Sequence, residues 1–89
     1  MKAIVTVLGK DHVGIMSLVC ALLAEHNVNV LDISQTIMQG YFTMVMLVDV
    51  SGSDIPFGEL AALLEHEGKQ RGLSIRAQRE DIFNAMHRI

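Results

Sequence analysis

Several residue types are scarce in this sequence, and each scarcity excludes a class of protein. One cysteine among 89 residues excludes an internal disulfide, and one proline with seven glycines excludes collagen-like and linker-like chains. Hydrophobic residues make up 51% and charged residues 19%, so the chain is too apolar to be disordered. The longest apolar segments fall far short of the ~20 residues that span a bilayer. The sequence therefore predicts one globular domain over residues 1–89.

Basic residues are also few, and they are unevenly placed. Residues 1–67 hold two lysines and eight carboxylates, a net charge of −6, whereas residues 69–89 hold five basic and two acidic groups, a net charge of +3. The total of −3 argues against a nucleic-acid partner, because such binding needs a basic surface that displaces counterions. We expect the basic C-terminal stretch to be a solvated face of a strand and a helix.

The N-terminal region lacks the plan of a secretory signal. Its apolar run, from Ala3 to Leu8, is six residues long, and no small-residue cleavage site follows it. Cys20 lies between two apolar residues, as is typical of a buried structural thiol. We therefore expect no membrane contact and a cytoplasmic location in a reducing compartment.

The hydrophobic pattern alternates between the periods of strands and helices. Short β-branched or alternating segments predict strands, and apolar residues three or four apart predict helices. Strands are predicted over residues 2–8, 28–38, 41–50 and 73–79. Helices are predicted over residues 14–26, from residue 54 to Gly68 or Gly72, and over residues 80–89. Residues 9–13 are predicted to form a turn, and Asp54 to cap the second helix.

This order, β-α-β-β-α-β with an extra C-terminal helix, predicts an α+β fold. Two right-handed crossovers place both helices on one face of a four-stranded antiparallel sheet, which is a ferredoxin-like sandwich. The apolar residues of the second strand switch parity, which predicts a bulge near Leu31. The third strand is apolar on both faces, so we expect the final helix or a second copy of the chain to cover the open face of the sheet.

Several function classes share this topology, and the residues exclude most of them. The loop after the first strand lacks the cysteine pair of a metal carrier, and the first strand lacks the aromatic side chains on which RNA bases stack. An acylphosphatase-like enzyme needs an arginine in that loop, but the first arginine is Arg71. His66-Glu67 begins like a zinc-protease motif, yet Gln70 stands where the second histidine belongs. The sequence predicts no enzyme, catalytic residue, cofactor or dedicated metal site.

The remaining candidate is the loop over residues 9–15, which joins the first strand to the first helix. The free backbone N–H groups at the start of that helix form a positive end that suits a carboxylate. Asp11 could accept the ammonium group of an amino acid. Two alternatives stay open from the residues alone. In one, Asp11 caps the helix and Gly14 only relieves packing. In the other, His12 and a carboxylate hold an incidental metal ion.

The run KDHVGI at 10–15, with Asn29-Val30 near the start of the second strand, resembles the ACT domain, a regulatory module that commonly binds amino acids. The runs DISQT at 32–36 and YFTM at 41–44, with a final IFNAM-like helix, are similar to small stand-alone ACT proteins. These proteins are similar in turn to the N-terminal module of formyltetrahydrofolate deformylases and to the glycine-cleavage repressor. The resemblance covers essentially the whole chain, although the family turn often has proline where this chain has Val13.

The resemblance implies a ligand held between two subunits. It implies contacts from one subunit through Asp11, His12, Val13, Gly14 and Ile15, and from the other through Asn29 and Val30. We therefore expect a homodimer that senses an amino acid or related carboxylate and acts on a partner protein. The alternative is a ligand-free interaction protein that docks on an enzyme or regulator through its sheet edge or its C-terminal region.

Overall fold

The computed structural model describes residues 1–10 and 13–81. This part of the chain consists of one sheet with a layer of two helices packed on it. The strands are β1 (Lys2–Lys10), β2 (Asn29–Met38), β3 (Tyr41–Asp49) and β4 (Ser74–Arg79), and the helices are α1 (Ile15–Glu25) and α2 (Phe57–Gln70). The strands form one antiparallel sheet in the order β2-β3-β1-β4. This confirms the ferredoxin-like βαββαβ fold that the sequence predicts.

The third predicted helix, over residues 80–89, is described only at its beginning. Residues 80 and 81 are helical, and the remainder of that prediction lies outside the described residues. Within the described part of the chain, no helix is long and apolar enough to cross a membrane.

Both helices pack on the same face of the sheet. On that face β1 contributes Ala3, Val5 and Val7, all of them fully buried. Their cross-strand neighbours on β3 point the same way and are buried too. The helical residues buried in the same cluster are Ile15, Val19 and Leu23 from α1 and Leu60 and Leu64 from α2. The core therefore lies between the central strands and the helical layer, and the other face of the sheet is open.

A bulge interrupts β2 where the change of parity predicts it. Val30 and Asp32 pair with consecutive residues of β3, so Leu31 is an extra residue between them. Because of this insertion, Val30 and Ile33 both oppose buried β3 residues and face the helical layer, although they are three positions apart. The bulge therefore keeps both ends of the strand in register with the core.

β1 extends two residues further than the sequence predicts. Gly9 and Lys10 pair with Phe42 and Tyr41, so they continue the ladder and do not begin a turn. A Cβ atom on Gly9 would lie 2.5 Å from Leu73 Cδ2. The glycine therefore makes room for the residue that leads into β4, and its interpretation as a turn signal was wrong.

Asp54 does not cap α2, so that prediction was also wrong. The helix begins at Phe57, with Pro56 at the N-cap position. Asp54 instead pairs with His26, whose Nδ1 atom lies 2.8 Å from Asp54 Oδ1. The backbone N–H of Asp54 also donates to the carbonyl of His26. These contacts join the end of α1 to the loop before α2 across 28 positions of sequence.

Helix α2 and strand β4 come into close contact at Gly68. A Cβ atom there would lie 2.8 Å from Ile75 Cγ1 and 3.0 Å from the carbonyl oxygen of Leu73. The backbone N–H of Leu73 donates to the carbonyl of Gly68 at 2.8 Å, which fixes this spacing. A side chain at this position would therefore push the helix away from the strand.

We expect Gly68→Ala to destabilise the fold by about 1–3 kcal/mol, because an overpacked contact forces backbone shifts. Gly58→Ala is the matched control, since it makes the same change in the same helix with no atom within 4 Å of the new Cβ. The control should raise stability by up to about 1 kcal/mol, through helix propensity alone. Urea unfolding measures both variants. Equal stabilities would contradict the close packing of α2 on β4.

Candidate functional site

The loop after β1 presents the start of α1 at one end of the sheet. Gly14 is the N-cap residue, with the left-handed backbone angles φ 92° and ψ 1°. Its carbonyl accepts the backbone N–H of Leu18 at 2.9 Å, the first hydrogen bond of the helix. The N–H groups of Ile15, Met16 and Ser17 precede that bond, and the first turn carries no acidic side chain. This helix end therefore suits an anionic group.

The side chains of this loop differ in exposure. Val13 is 100% exposed, whereas Ile15 is 2% exposed and packs in the core. Ile15 can therefore offer a ligand its backbone N–H group but not its side chain. Asp11 and His12 lie outside the described residues, so their roles stay predictions. Among residues 1–10 and 13–81, no group of three or more His, Cys, Asp or Glu side chains could hold a metal ion.

The other half of the predicted site lies at the start of β2. Asn29 is exposed and Val30 is half-buried. Asn29 lines a shallow depression of about 230 Å³ together with Ala24, Asn27 and Val28, at the turn between α1 and β2. Asn27 holds that turn in a left-handed conformation with φ 59°. A ligand contact through the side-chain amide of Asn29 stays a prediction.

Within one chain, the two halves of the predicted site are far apart. The loop follows Lys10, the last residue of β1. Asn29 instead pairs with Asp49, which pairs with Lys2, the first residue of β1. The two halves are therefore separated by the length of β1, roughly 26 Å at about 3.3 Å per residue. A small ligand that touches both halves must lie between two chains.

Strand β2 forms one edge of the sheet, and within the described residues its outer side is unpaired. It is ten residues long. Ile33 and Ile37 face the helical layer yet are 38% and 53% exposed, so α1 does not cover them. Leu31 and Met38 are exposed as well. A long edge strand with exposed apolar side chains is a template for pairing with another strand, although the N–H of Ile33 already donates to Asp32 Oδ1 at 2.9 Å.

The carboxylate of Asp49 stands beside Asn29, and the sequence analysis missed it. The two residues are cross-strand partners. The backbone N–H of Ser51 donates to Asp49 Oδ1 at 2.9 Å, and the amino group of Met1 lies 3.6 Å from the same oxygen. The backbone hydrogen bond from Ser51, helped by the Ser51 hydroxyl and the Met1 amino group, lowers the pKa of Asp49 from its ordinary value of 3.8. The ammonium group that this carboxylate attracts in the structure is that of Met1.

Comparison with known proteins identifies the family to which this fold and loop belong. The ACT domain family model matches residues 2–78, so the chain is a member of the ACT domain family. Within that family it belongs with the UPF0237 proteins. The UPF0237 protein of Bifidobacterium longum is 57% identical to it over 88 residues, which is 99% of this chain and 98% of that protein.

Solved structures show the same fold. An ACT domain protein from Streptococcus pneumoniae has a TM-score of 0.82 at 41% identity, covering 98% of each chain. A structure described as a glycine cleavage system transcriptional repressor has a TM-score of 0.74 at 25% identity, over 88% of this chain and 44% of that one. A formyltetrahydrofolate deformylase from Pseudomonas putida has a TM-score of 0.79 at 16% identity, over 91% of this chain and 29% of that one, and is alike in fold alone.

These findings confirm the resemblance that the sequence motifs indicate. They place the chain among regulatory ligand-binding modules in the general sense of the ACT family.

We expect Asp49→Asn to change the pH dependence of stability. A carboxylate with a lowered pKa stabilises the folded state above its ordinary pKa, and this contribution is lost as the pH falls through the lower pKa of the folded protein. The variant should therefore lose less stability than the parent protein on acidification below about pH 4. Urea unfolding at a series of pH values measures both curves. Parallel curves for the two proteins would show that Asp49 contributes nothing to the pH dependence of stability.

Proposed function

We propose that this chain is a homodimeric regulatory module that binds an amino acid or a related carboxylate between its two subunits and acts on a partner protein. One observation carries the proposal. The two halves of the predicted site lie at opposite ends of β1, while β2 offers an unpaired apolar edge in the described part of the chain. A second copy of the chain supplies a strand partner for the β2 edge and the missing half of each site.

Antiparallel pairing of β2 with β2 of a second copy unites the two halves. In such a two-fold pair, the start of β2 in one copy lies at the end of β2 in the other. The end of β2 is also the end at which the β1–α1 loop lies, because Met38 pairs with Tyr41 and Tyr41 with Lys10. The same pairing covers Ile33 and Ile37 and satisfies the backbone groups of the edge.

The two halves carry groups that match the ends of a zwitterion. The N–H groups at the start of α1 suit a carboxylate. The side-chain amide of Asn29 can both donate and accept a hydrogen bond. The carboxylate of Asp49, which pairs with the Met1 amino group, adds a negative charge on the Asn29 side, and Asp11 in the loop can accept an ammonium group. This set of groups selects an amino acid or a related carboxylate over an uncharged metabolite.

Regulation follows from linkage between ligand and dimer. A ligand that contacts both copies binds the dimer better than the separated chains, so it shifts the population toward the dimer. A partner protein that recognises the dimer then responds to the ligand concentration. A module that works by this linkage does not need to catalyse a reaction.

Ile33→Lys should break the dimer. Ile33 lies near the middle of β2, so a two-fold axis brings the two new ammonium groups together and they repel each other. We expect the dimer dissociation constant to rise by about tenfold or more, measured by sedimentation velocity. Ser74→Lys is the control, because Ser74 is an exposed residue of the other edge strand, β4. Dimers of Ile33→Lys as tight as those of the control would place the interface elsewhere.

A thermal-shift screen against the twenty amino acids tests the ligand class. A ligand at about 100 times its dissociation constant stabilises the folded state by roughly 2.7 kcal/mol, which is about 10–20 °C for a domain of this size. A selective shift identifies the ligand. A flat screen with an intact dimer would contradict the sensing function and favour the ligand-free interaction protein.

Mixing two variants tests whether each site uses both subunits. Gly14→Asp places a carboxylate where that of the ligand would bind, and Asn29→Ala removes the amide on the other side. Each variant alone should lose ligand binding. Mixed dimers contain one site with both native halves, so an equal mixture should recover about a quarter of the sites, as isothermal titration calorimetry would show.

The control for this experiment is Gly72→Asp. Gly72 has a φ of 72° against 92° for Gly14, and at both positions a new Cβ would meet no atom within 4 Å. The control therefore matches the backbone strain and the added charge, and it should leave ligand binding unchanged. A mixture of Gly14→Asp and Asn29→Ala that stays inactive, although each variant still dimerises, would refute a site shared between subunits.

A further inference from the structure

Strand β4 and helix α2 border a groove along the outer side of the sheet. Two adjoining depressions, of about 270 and 150 Å³, follow β4 and share Glu65, Ile75 and Arg76 in their lining. Residues from both faces of the strand line each depression, because Ile75 pairs with Val7 of the core whereas Arg76 pairs with Thr6 on the open face. The groove therefore lies at the edge of β4 and not on either face of the sheet.

We call this surface the β4 groove; it consists of Ala61, Glu65 and Lys69 on α2 and residues 74–78 on β4. The three α2 residues are four positions apart, so they form one stripe along the helix. The stripe begins at Ala61, whose small side chain leaves the larger depression open. The β4 side is roughly 13 Å long at about 3.3 Å per residue, which is room for about five residues of an extended chain.

The backbone of β4 can extend the sheet. Within the described residues, no strand pairs with the outer side of β4. A strand presents the N–H and C=O groups of every second residue to each side, so an edge strand can pair with an extended segment of another protein. The side chains of such a segment alternate between the two faces of the sheet. One set lies toward Ala61 on α2, and the other lies beside Arg76 on the open face.

Arg76 gives the β4 groove its charge preference. It is exposed and lines both depressions. The other basic residues around the groove pair with carboxylates: Lys69 with Glu65, Arg71 with Glu67, and Arg79 with Asp81. In the part of the chain that the structure describes, Arg76 makes no ion pair. A segment that brings a carboxylate beside Arg76 therefore meets a positive charge that is not already balanced.

The same residue disfavours pairing of β4 with β4 of a second copy. Two-fold antiparallel pairing uses β4 most fully with the axis at Arg76 or at Ala77. Either axis brings the two Arg76 guanidinium groups onto the same face, directly opposite or diagonal to each other, and like charges there repel. Strand β2, by contrast, contains no basic residue. The β4 edge therefore favours a strand of opposite charge over a second copy of itself.

We propose that the β4 groove binds an extended acidic segment of the partner protein, which joins the sheet as a further strand beside β4. The segment carries carboxylates at alternate positions, next to Arg76, and small apolar side chains between them, next to Ala61 and Ala77. This inference rests on the proposed function only for the existence of a partner protein. It requires neither the amino-acid ligand nor the β2 dimer.

Binding of two synthetic peptides to the full chain tests the proposal. One peptide alternates valine and aspartate and the other alternates valine and lysine, both about eight residues long with blocked ends. The aspartate peptide should shift the backbone amide NMR signals of Ser74–Arg79 and leave those of β2 in place. Its dissociation constant should be at least about tenfold lower than that of the lysine peptide.

Arg76→Glu should reverse the preference between the two peptides, because the groove then presents a carboxylate to the incoming strand. Lys2→Glu is the matched control, since it makes the same change of net charge at an exposed residue outside the groove. The control should keep the preference for the aspartate peptide.

Ala61→Leu should weaken binding of the aspartate peptide by about tenfold, because the larger side chain fills the groove. Ala62→Leu is the matched control, since Ala62 is an exposed neighbour on the same helix and does not line the groove. The control should bind as tightly as the parent protein.

The dimer variant Ile33→Lys separates this proposal from the proposed function. It should bind the aspartate peptide as tightly as the parent protein, even where the dimer or amino-acid binding is lost. Loss of peptide binding in Ile33→Lys, or shifted signals on β2 instead of β4, would place the peptide at the other edge and overturn the proposal. Equal affinities for the two peptides, equal effects of Ala61→Leu and Ala62→Leu, or no binding of the aspartate peptide at millimolar concentration would overturn it as well.

Discussion

The burial of β1 between two antiparallel partners is the constraint on which the rest of this structure depends. β1 pairs with β3 along one side and with β4 along the other, and Ala3, Val5 and Val7 are fully buried beneath the helices. Once β1 is central, β2 and β4 must be the edges. β4 is six residues long and packs against α2 at Gly68, whereas β2 is ten residues long and α1 leaves much of it exposed. The two edges are therefore unequal, and β2 is the longer and the more exposed of the two.

The same topology explains why one chain cannot complete the predicted site. β1 and β2 are both antiparallel to β3, so they run in the same direction. The loop that follows β1 and the residue that begins β2 must then lie at opposite ends of the sheet. Asn29 of one copy comes near Gly14 of another copy only if the two β2 strands run in opposite directions. The distance between the half-sites is thus a property of the strand order, and no side-chain rearrangement within one chain removes it.

The sequence predicts the features that depend on residues close together along the chain. The alternation of apolar residues predicts the strands, the change of parity predicts the bulge at Leu31, and three-to-four spacing predicts the stripes of both helices. It left open which face of β3 is covered, because both faces are apolar. The structure places Phe42 and Met44 under the helices and leaves Val45 on the open face.

The predictions that failed depend on residues distant in sequence. Gly9 makes room for Leu73, and Asp54 pairs with His26, so neither role can be read from the neighbouring residues. Asp49 was missed for the same reason, since its proximity to Asn29 comes from strand pairing. The loop and the start of β2 were joined into one predicted site only through the resemblance to a family, because the pattern of residues alone does not bring together two segments at opposite ends of β1.

The β2 edge and the open face of the sheet are both uncovered in the described part of the chain, and they need different kinds of partner. The edge of β2 has backbone N–H and C=O groups that only another strand can satisfy in full, whereas the exposed side chains of Leu8 and Val45, on the open face of the sheet, need only an apolar contact. If copies of the chain bound at both surfaces, the contacts could propagate and the assembly would not close. Under the proposed two-fold pairing, the β2 edge would be used completely, the assembly would close at two subunits, and each dimer would contain two equivalent ligand sites.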